Sequence, residues 1–423
     1  STDWFVQTNW TPNGIPNGSN TDVIIPSGTT NNAICNAPVT ISDMLLENGA
    51  ILTVNTNLNV TGIWSSKGTG TGIVMGTGQV ILSGLYGNSV YGASQFYKLT
   101  MHTGADSVRL QASANVNVVK LLNLQSGRLT TNNGSLTLLS SDTVTAFIDD
   151  FSSGFTGTIN GSVTAQRHVT GTGVMQHFVS SPINNAAVQD LLPGASGADA
   201  VFVTPQPTCD ENALASGSNY GQVFEWRDDG PLTSGCYMAN WKVRSSGNLQ
   251  NGTCYSALLQ GGTVYDVKGQ PNTGDIAVTN LTNQDWTSVS MQGRVIASGW
   301  SFVGNPYPSV LDLNQVVSNQ HIFTEGFDAQ VQIYQPTGPY QGTYNPELMG
   351  SAGTQVQLAP FQAFMLFNPD LNSTKTFTFH QQERSTAANP VFYQQANQPV
   401  LEITVDGANG KDRTRIGFND SAT

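Results

Sequence analysis

The sequence predicts an all-β protein: an N-terminal parallel β-helix, or solenoid, followed by an antiparallel β-sandwich region. Apolar-polar-apolar triplets recur at short intervals through the first third of the chain, and Asn-Gly, Ser-Gly and Thr-Gly pairs stand between them. Charged residues are only 10% of the 423, against about 25% in an average soluble domain. Gly, Asn, Ser, Thr and Gln take their place, residues that favour turns over helix interiors. Helical bundles, coiled coils and doubly wound α/β folds are therefore disfavoured.

Trp4 and Trp10 precede the first triplet. They are expected to cap the solenoid, whose uncovered end would expose apolar side chains and unpaired strand edges. Short strands follow at Val39–Ile41, Ile51–Val54, Leu58–Val60, Val80–Leu82, Leu99–Met101, Val108–Leu110, Val116–Val118, Leu122–Leu124 and Leu136–Leu138. None is long enough to bury its apolar face alone, so stacked coils must share one interior. Residues 1–150 are read as this solenoid with its cap.

Residues 151–423 are read as the sandwich region, with a sub-domain break near 285–300. Strands there are longer and more aromatic: Val163–Val169, Met175–Ser181, Gln222–Trp226, Thr263–Val267, Gly299–Gly304, Ala329–Tyr334, Gln362–Phe367, Thr376–His380 and Leu401–Val405. Only Ala186–Leu192 and Leu311–Ser318 read as helical, and both are short.

The net charge of −12 argues against nucleic acid, whose binders need basic patches. No apolar run reaches the roughly 18 residues that span a bilayer, so membrane insertion is not expected. No charged segment followed by an apolar one stands at Ser1, which leaves a cytosolic chain or a processed mature form. Low Lys, abundant Thr, Asn and Gly, and an isoelectric point near 4.6 favour an extracellular mature form. The four cysteines form no C-x-x-C pair. Three of them, Cys209, Cys236 and Cys254, fall in one stretch and suggest a disulfide, as expected of an oxidising compartment. Cys209–Cys236 and Cys236–Cys254 are both open at this point.

The order of several motifs resembles the extracellular proteins that Bacteroidetes export through the type IX secretion system. The entry segment from Trp10 to Asn17 with Asp22–Gly28, Gly127–Thr130, His177–Pro182, Trp300–Ser309 (Trp-Ser-Phe-Val-Gly-Asn-Pro-Tyr-Pro-Ser), Ala359–Leu366 and Asp412–Thr423 carry the likeness. The resemblance implies a secreted or cell-surface location more than a chemistry. A C-terminal sorting domain is usual in that family, and the expectation here is that it was removed after export or belongs to a longer product of which residues 1–423 are part. The resemblance also points to O-glycosylation at Ser107, Thr143 and Ser421, each in an Asp-Ser/Thr-apolar context.

Polysaccharide-cleaving enzymes also use β-helices, and they need paired carboxylates or carboxylate-held Ca²⁺. Asp22 and Asp43 have the separation of adjacent coils, but both stand beside strand ends, where Asp accepts turn hydrogen bonds. His102, His168, His177, His321 and His380 show no metal-ligand spacing, and no nucleophile elbow, phosphate loop or dinucleotide turn is present. Asp149-Asp150, Asp210-Glu211, Asp228-Asp229 and the loop Asp406–Asp412 are acidic clusters without EF-hand spacing, so no catalytic residue or cofactor is expected beyond a structural Ca²⁺. Trp241 is the candidate glycan contact. The expectation is a secreted, non-catalytic adhesin, matrix or filament component that self-associates or meets other surface proteins, the secretion machinery or glycans. A carbohydrate-active enzyme or glycan-binding module is the alternative.

Overall fold

The computed structural model describes residues 2–28, 32–68, 72–191, 223–226, 241–244, 246–283, 299–318, 321–328, 330–338, 341–348, 357–386, 400–407 and 410–417. The chain is all-β, with an N-terminal parallel solenoid followed by antiparallel sheets.

The solenoid has three faces. The first stacks Val23–Ile25, Met44–Leu46, Trp64–Ser66 and Asn88–Tyr91 in parallel register. The second stacks Ala33–Cys35, Ile51–Val54 and Gly72–Met75, and the third Val39–Ile41, Asn57–Val60 and Gln79–Leu82. In the next coils the triplets fuse into two long strands, Ala93–Leu110 and Asn115–Thr130, that bend through all three faces and pair with each other. The triplet pattern holds in the burial: Val23, Ile25, Val39, Ile41, Leu58, Val60, Val116 and Val118 point inward and are buried, while their intervening neighbours are not. Trp64 fills the interior against Phe96, with centroids 5.0 Å apart, and its indole N–H donates to Ser94 Oγ at 2.9 Å. A buried indole needs such a partner.

Side chains at the corners tie one coil to the next. Asp22 accepts from the amide of Asp43 (3.3 Å), and Asp43 accepts from the amide of Ile63 (2.7 Å). Asn55 donates to Asn36 (2.8 Å), and the Asn88 amide donates to the carbonyls of Val60 and Gly62 (3.0 and 2.6 Å). The step from Trp64 to Val90 is longer than its neighbours, and the additional residues form the Gly84–Gly87 turn that Asn88 anchors.

The parallel ladder continues beyond the expected boundary at Asp150. Thr158–Asn160 pairs with Arg128–Thr130, and Thr164–Ala165 with Thr137–Leu138. The strand Val163–His168 then pairs antiparallel with Val264–Pro271, so the change of sheet type occurs on the solenoid's last coil. The interior is continuous across it, from Trp4 to Val267.

Two four-stranded antiparallel sheets follow, one holding Val174–Val179, Tyr255–Gln260, Val223–Trp226 and Trp241–Val243, the other Trp300–Gly304, Ala363–Phe367, Gln330–Gly338 and Gln341–Leu348. They meet through aromatic rings. Phe178 stacks on Tyr334 at 4.3 Å, and Phe302 lies 5.2 Å from Phe178 and 4.8 Å from Trp226. Among the described residues the helical elements are 3-10 turns at Gln7–Asn9, Val188–Leu191 and Gln381–Glu383 and short helices at Leu313–Ser318 and His321–Thr324. A hairpin, Val400–Gly407 with Gly410–Gly417, ends the described chain.

Candidate functional site

The N-terminal end carries a cleft of about 620 Å³ between the cap segment and the first coil. Its construction starts at Trp4, which is fully buried and lends its backbone to the second face: its amide donates to Ile34 (2.9 Å), and Ile34 donates to Thr2 (2.8 Å). The Trp4 indole donates to Pro16 (3.0 Å), and the Trp10 indole donates to the Trp4 carbonyl (2.7 Å). The two rings meet edge to face at 4.7 Å. Both tryptophans therefore serve the cap. The third face is closed by Asn17 and Gly18, whose side-chain carbonyl and amide engage the two backbone groups of Thr40 at 3.1 and 2.6 Å.

What the cap leaves is the cleft, lined by Asp3, Trp10, Asn13, Ile15, Asp22 and Ile24 among others. Ile15 and Ile24, the latter at the outward position of the first strand, are 44% and 56% exposed. The described lining contains no Lys, Arg or His. Asp3 also holds the amide of Phe5 (2.9 Å), so its carboxylate is fixed at the rim. The cleft thus combines carboxylates, amides, an indole and apolar surface, suited to a cationic or hydrogen-bonding ligand.

The opposite end of the solenoid is covered. Val264–Pro271 pairs with the last strand of the second face, Ile148 on the third face donates to the carbonyl of Pro308 (2.7 Å), and Gln270 donates to the carbonyl of Ile159 on the first (2.7 Å). Pro308 belongs to the Gly304–Ser309 turn, the centre of a buried polar junction. Asn305 donates to Ser309, Leu358 and Ala359 (2.8, 3.2 and 3.1 Å) and accepts from Tyr307 (3.0 Å). Arg384, buried, pairs with Asp150 (2.5 Å) and donates to Ser309 Oγ (2.6 Å) and the Ile148 carbonyl (3.2 Å). Desolvation pulls its pKa down, opposed by Asp150. Its guanidinium lies over Phe151 and Tyr307 at 4.4 and 4.9 Å. The end of the Trp300–Ser309 motif is thus a structural joint.

Asp22 and Asp43 each bind a backbone amide of the following coil, the turn role that their position suggests. Of the acidic clusters, Asp149 accepts from the amide and hydroxyl of Ser152 (3.0 and 2.7 Å), and Asp150 holds Arg384. Asp210, Glu211, Asp228 and Asp229 lie outside the described residues. Among the described residues no three His, Cys, Asp or Glu side chains gather into a metal-sized group. Trp241 stands opposite Trp226 on neighbouring strands. Ser107 is partly buried beside Arg128 in the long-strand pair, while Thr143 is exposed in the Ser141–Val144 turn. Ser421 lies outside the described residues.

Cys254 is a buried free thiol, its pKa pushed well up by desolvation; Cys209 and Cys236, the other members of the suggested pairings, lie outside the described residues. Cys35 is likewise free and buried, pushed up to about 11 by burial.

The cleft is not visible in the sequence, because it depends on how residues 11–16 return across the first coil. The signal that was present is Asp22-Val-Ile-Ile-Pro: an apolar residue at the outward position of a first strand. No protein-family model, curated protein or solved structure matches the chain.

Proposed function

We propose that the chain is a secreted or cell-surface, non-catalytic protein, an adhesin, matrix or filament component carried by type IX secretion, and that it works through the end of its solenoid. The contrast between the two ends supports this most: one is closed by strand pairing and a buried arginine, while the other presents a cleft beside a first strand. The motif order read from the sequence supports the export route. Ionisable residues of the solenoid that suggest chemistry, Asp22 and Asp43, are engaged in holding backbone, which favours a scaffold over an acid–base pair. The test is an activity screen on plant, algal and bacterial polysaccharides with cell fractionation of the native protein. No turnover and recovery outside the cell are expected; cleavage that disappears with Asp22→Asn would overturn the reading.

A glycan-binding role is the second reading, favoured by the half-buried indole of Trp10 among Asp3, Asn13 and Asp22 in the cleft. Titration with oligosaccharides, followed by tryptophan fluorescence, separates it from the first.

A further inference from the structure

Val23–Ile25 is the first strand of its face, and among the described residues it pairs on one side only, with Met44–Leu46. The Val23 amide donates to Asp43 (2.8 Å), and the Ile25 carbonyl accepts from Glu47 (3.0 Å). Successive residues of a parallel strand bond to opposite sides. The N–H and C=O of Ile24 therefore face away from the second coil, where the cleft lies. Pro26, the next residue of the same parity, has no N–H. The edge is short, and an arriving strand must draw on the rest of the cleft: Asp3 and Asp22 at its rim, Ile15 and Ile24 beside them.

The chain itself contains a segment of matching chemistry. The strands Val400–Gly407 and Gly410–Gly417 pair with each other and, among the described residues, with no other strand. Among the described residues, each therefore has one edge to which no strand is paired. The second reads Gly-Lys-Asp-Arg-Thr-Arg-Ile-Gly, with bases at the alternate positions 411, 413 and 415. This is a concentrated run in a chain with 16 bases and 28 acids. The hairpin register sets Lys411 opposite Asp406 and Arg415 opposite Glu402, but Arg413 opposite Thr404.

We propose that the cleft beside Val23–Ile25 receives the strand Gly410–Gly417 of a second copy, edge to edge, with Arg413 drawn to Asp3 and Asp22. This rests on the non-catalytic reading above and gives it a partner. The two surfaces differ, so each copy offers one of each and association runs head to tail.

The experiment is light scattering and sedimentation of the full chain over a concentration series at low and high salt. Two single variants are used: Ile24→Pro, which removes the edge donor, and Arg413→Glu, which reverses the charge of the arriving strand. Ile24→Lys is a second cleft variant that leaves the backbone donor in place, and circular dichroism checks that each is folded. The wild type is expected to form species beyond the dimer whose mean length falls as salt screens the contact. Each folded variant alone is expected to be monomeric. An equimolar mixture of a cleft variant with Arg413→Glu retains one intact cleft and one intact strand, and is expected to stop at two chains. A monomeric wild type, folded variants that assemble as the wild type does, or a mixture that grows past two chains would each overturn the proposal. Polysaccharide cleavage by the same preparation would instead overturn the non-catalytic reading and leave the sizing result standing.

Discussion

Ile148 donates its backbone amide to the carbonyl of Pro308 at 2.7 Å, joining the last strand of one solenoid face to a turn that follows it by more than a hundred residues. Around that bond, Arg384 reaches Asp150, Ser309 and Ile148 at once. The antiparallel sheets are thereby locked onto the coil end, and the edge that would otherwise be open there is occupied.

Arg384→Met should be strongly destabilising. It leaves Asp150 without its cation and Ser309 and Ile148 without a donor. Removing one partner of a buried ion pair costs about 3–5 kcal/mol. Urea unfolding should show this loss, and Asp150→Asn added to Arg384→Met should recover part of it. A midpoint unchanged by Arg384→Met would mean that the joint contributes little.

Asn305→Asp tests the same joint from the other side. The Asn305 amide faces three carbonyls, so a carboxylate there puts like partial charges together. About 3 kcal/mol or more should be lost at neutral pH, since a buried unsatisfied group costs about 1–3 kcal/mol and a charge costs more. The carboxyl would be held protonated more strongly in the folded chain than in the unfolded one, so the deficit should shrink as pH falls.

His177 gives the protein an acid-labile element. It is 4% exposed, and its pKa is lowered to about 4, first by desolvation and second by Arg167. The unfolded chain, with an ordinary histidine near 6.5, binds the proton first. Stability is therefore full above about 6.5 and declines as pH falls toward 4, by an amount on the order of 3 kcal/mol. His177→Gln should flatten the profile in that window. An identical slope in the variant would assign the acid sensitivity elsewhere.

Much of this architecture is legible in the sequence, and the reason is local. Triplets such as Val39–Ile41 and Val116–Val118 declare their inward residues by alternation, and Gly or Asn marks the corners. The junction is not legible in the same way. Gln381-Gln-Glu-Arg384 is a run of polar and charged residues, yet Arg384 is buried because Asp150 and the Pro308 turn close over it. The solenoid also runs past Asp150 because its last coil is completed by Val264–Pro271, a strand about a hundred residues later whose pairing with Val163–His168 no local pattern announces. The cleft depends on the same kind of distant closure.

Glycines at the corners separate conformational from steric need. Gly92 has φ +72°, and a Cβ there would stand 1.7 Å from the Ser66 carbonyl oxygen, whereas Gly104 has φ +61° and open space around it. Gly104→Ala should cost only the roughly 1–2 kcal/mol of a left-handed residue. Gly92→Ala should cost clearly more, because backbone of the preceding coil must move. Thermal unfolding of the two variants compares them directly, and equal losses would contradict the close packing of these coils.

The central claim is that the first strand of the solenoid is an edge that a second copy completes. Hydrogen exchange read by mass spectrometry across a concentration series tests it most directly. Peptides covering Val23–Pro26 and Gly410–Gly417 should gain protection together as the protein assembles, while those covering the closed joint at Ile148–Asp150 stay unchanged. Assembly without protection at Val23–Pro26, or a chain that stays monomeric throughout, would contradict it.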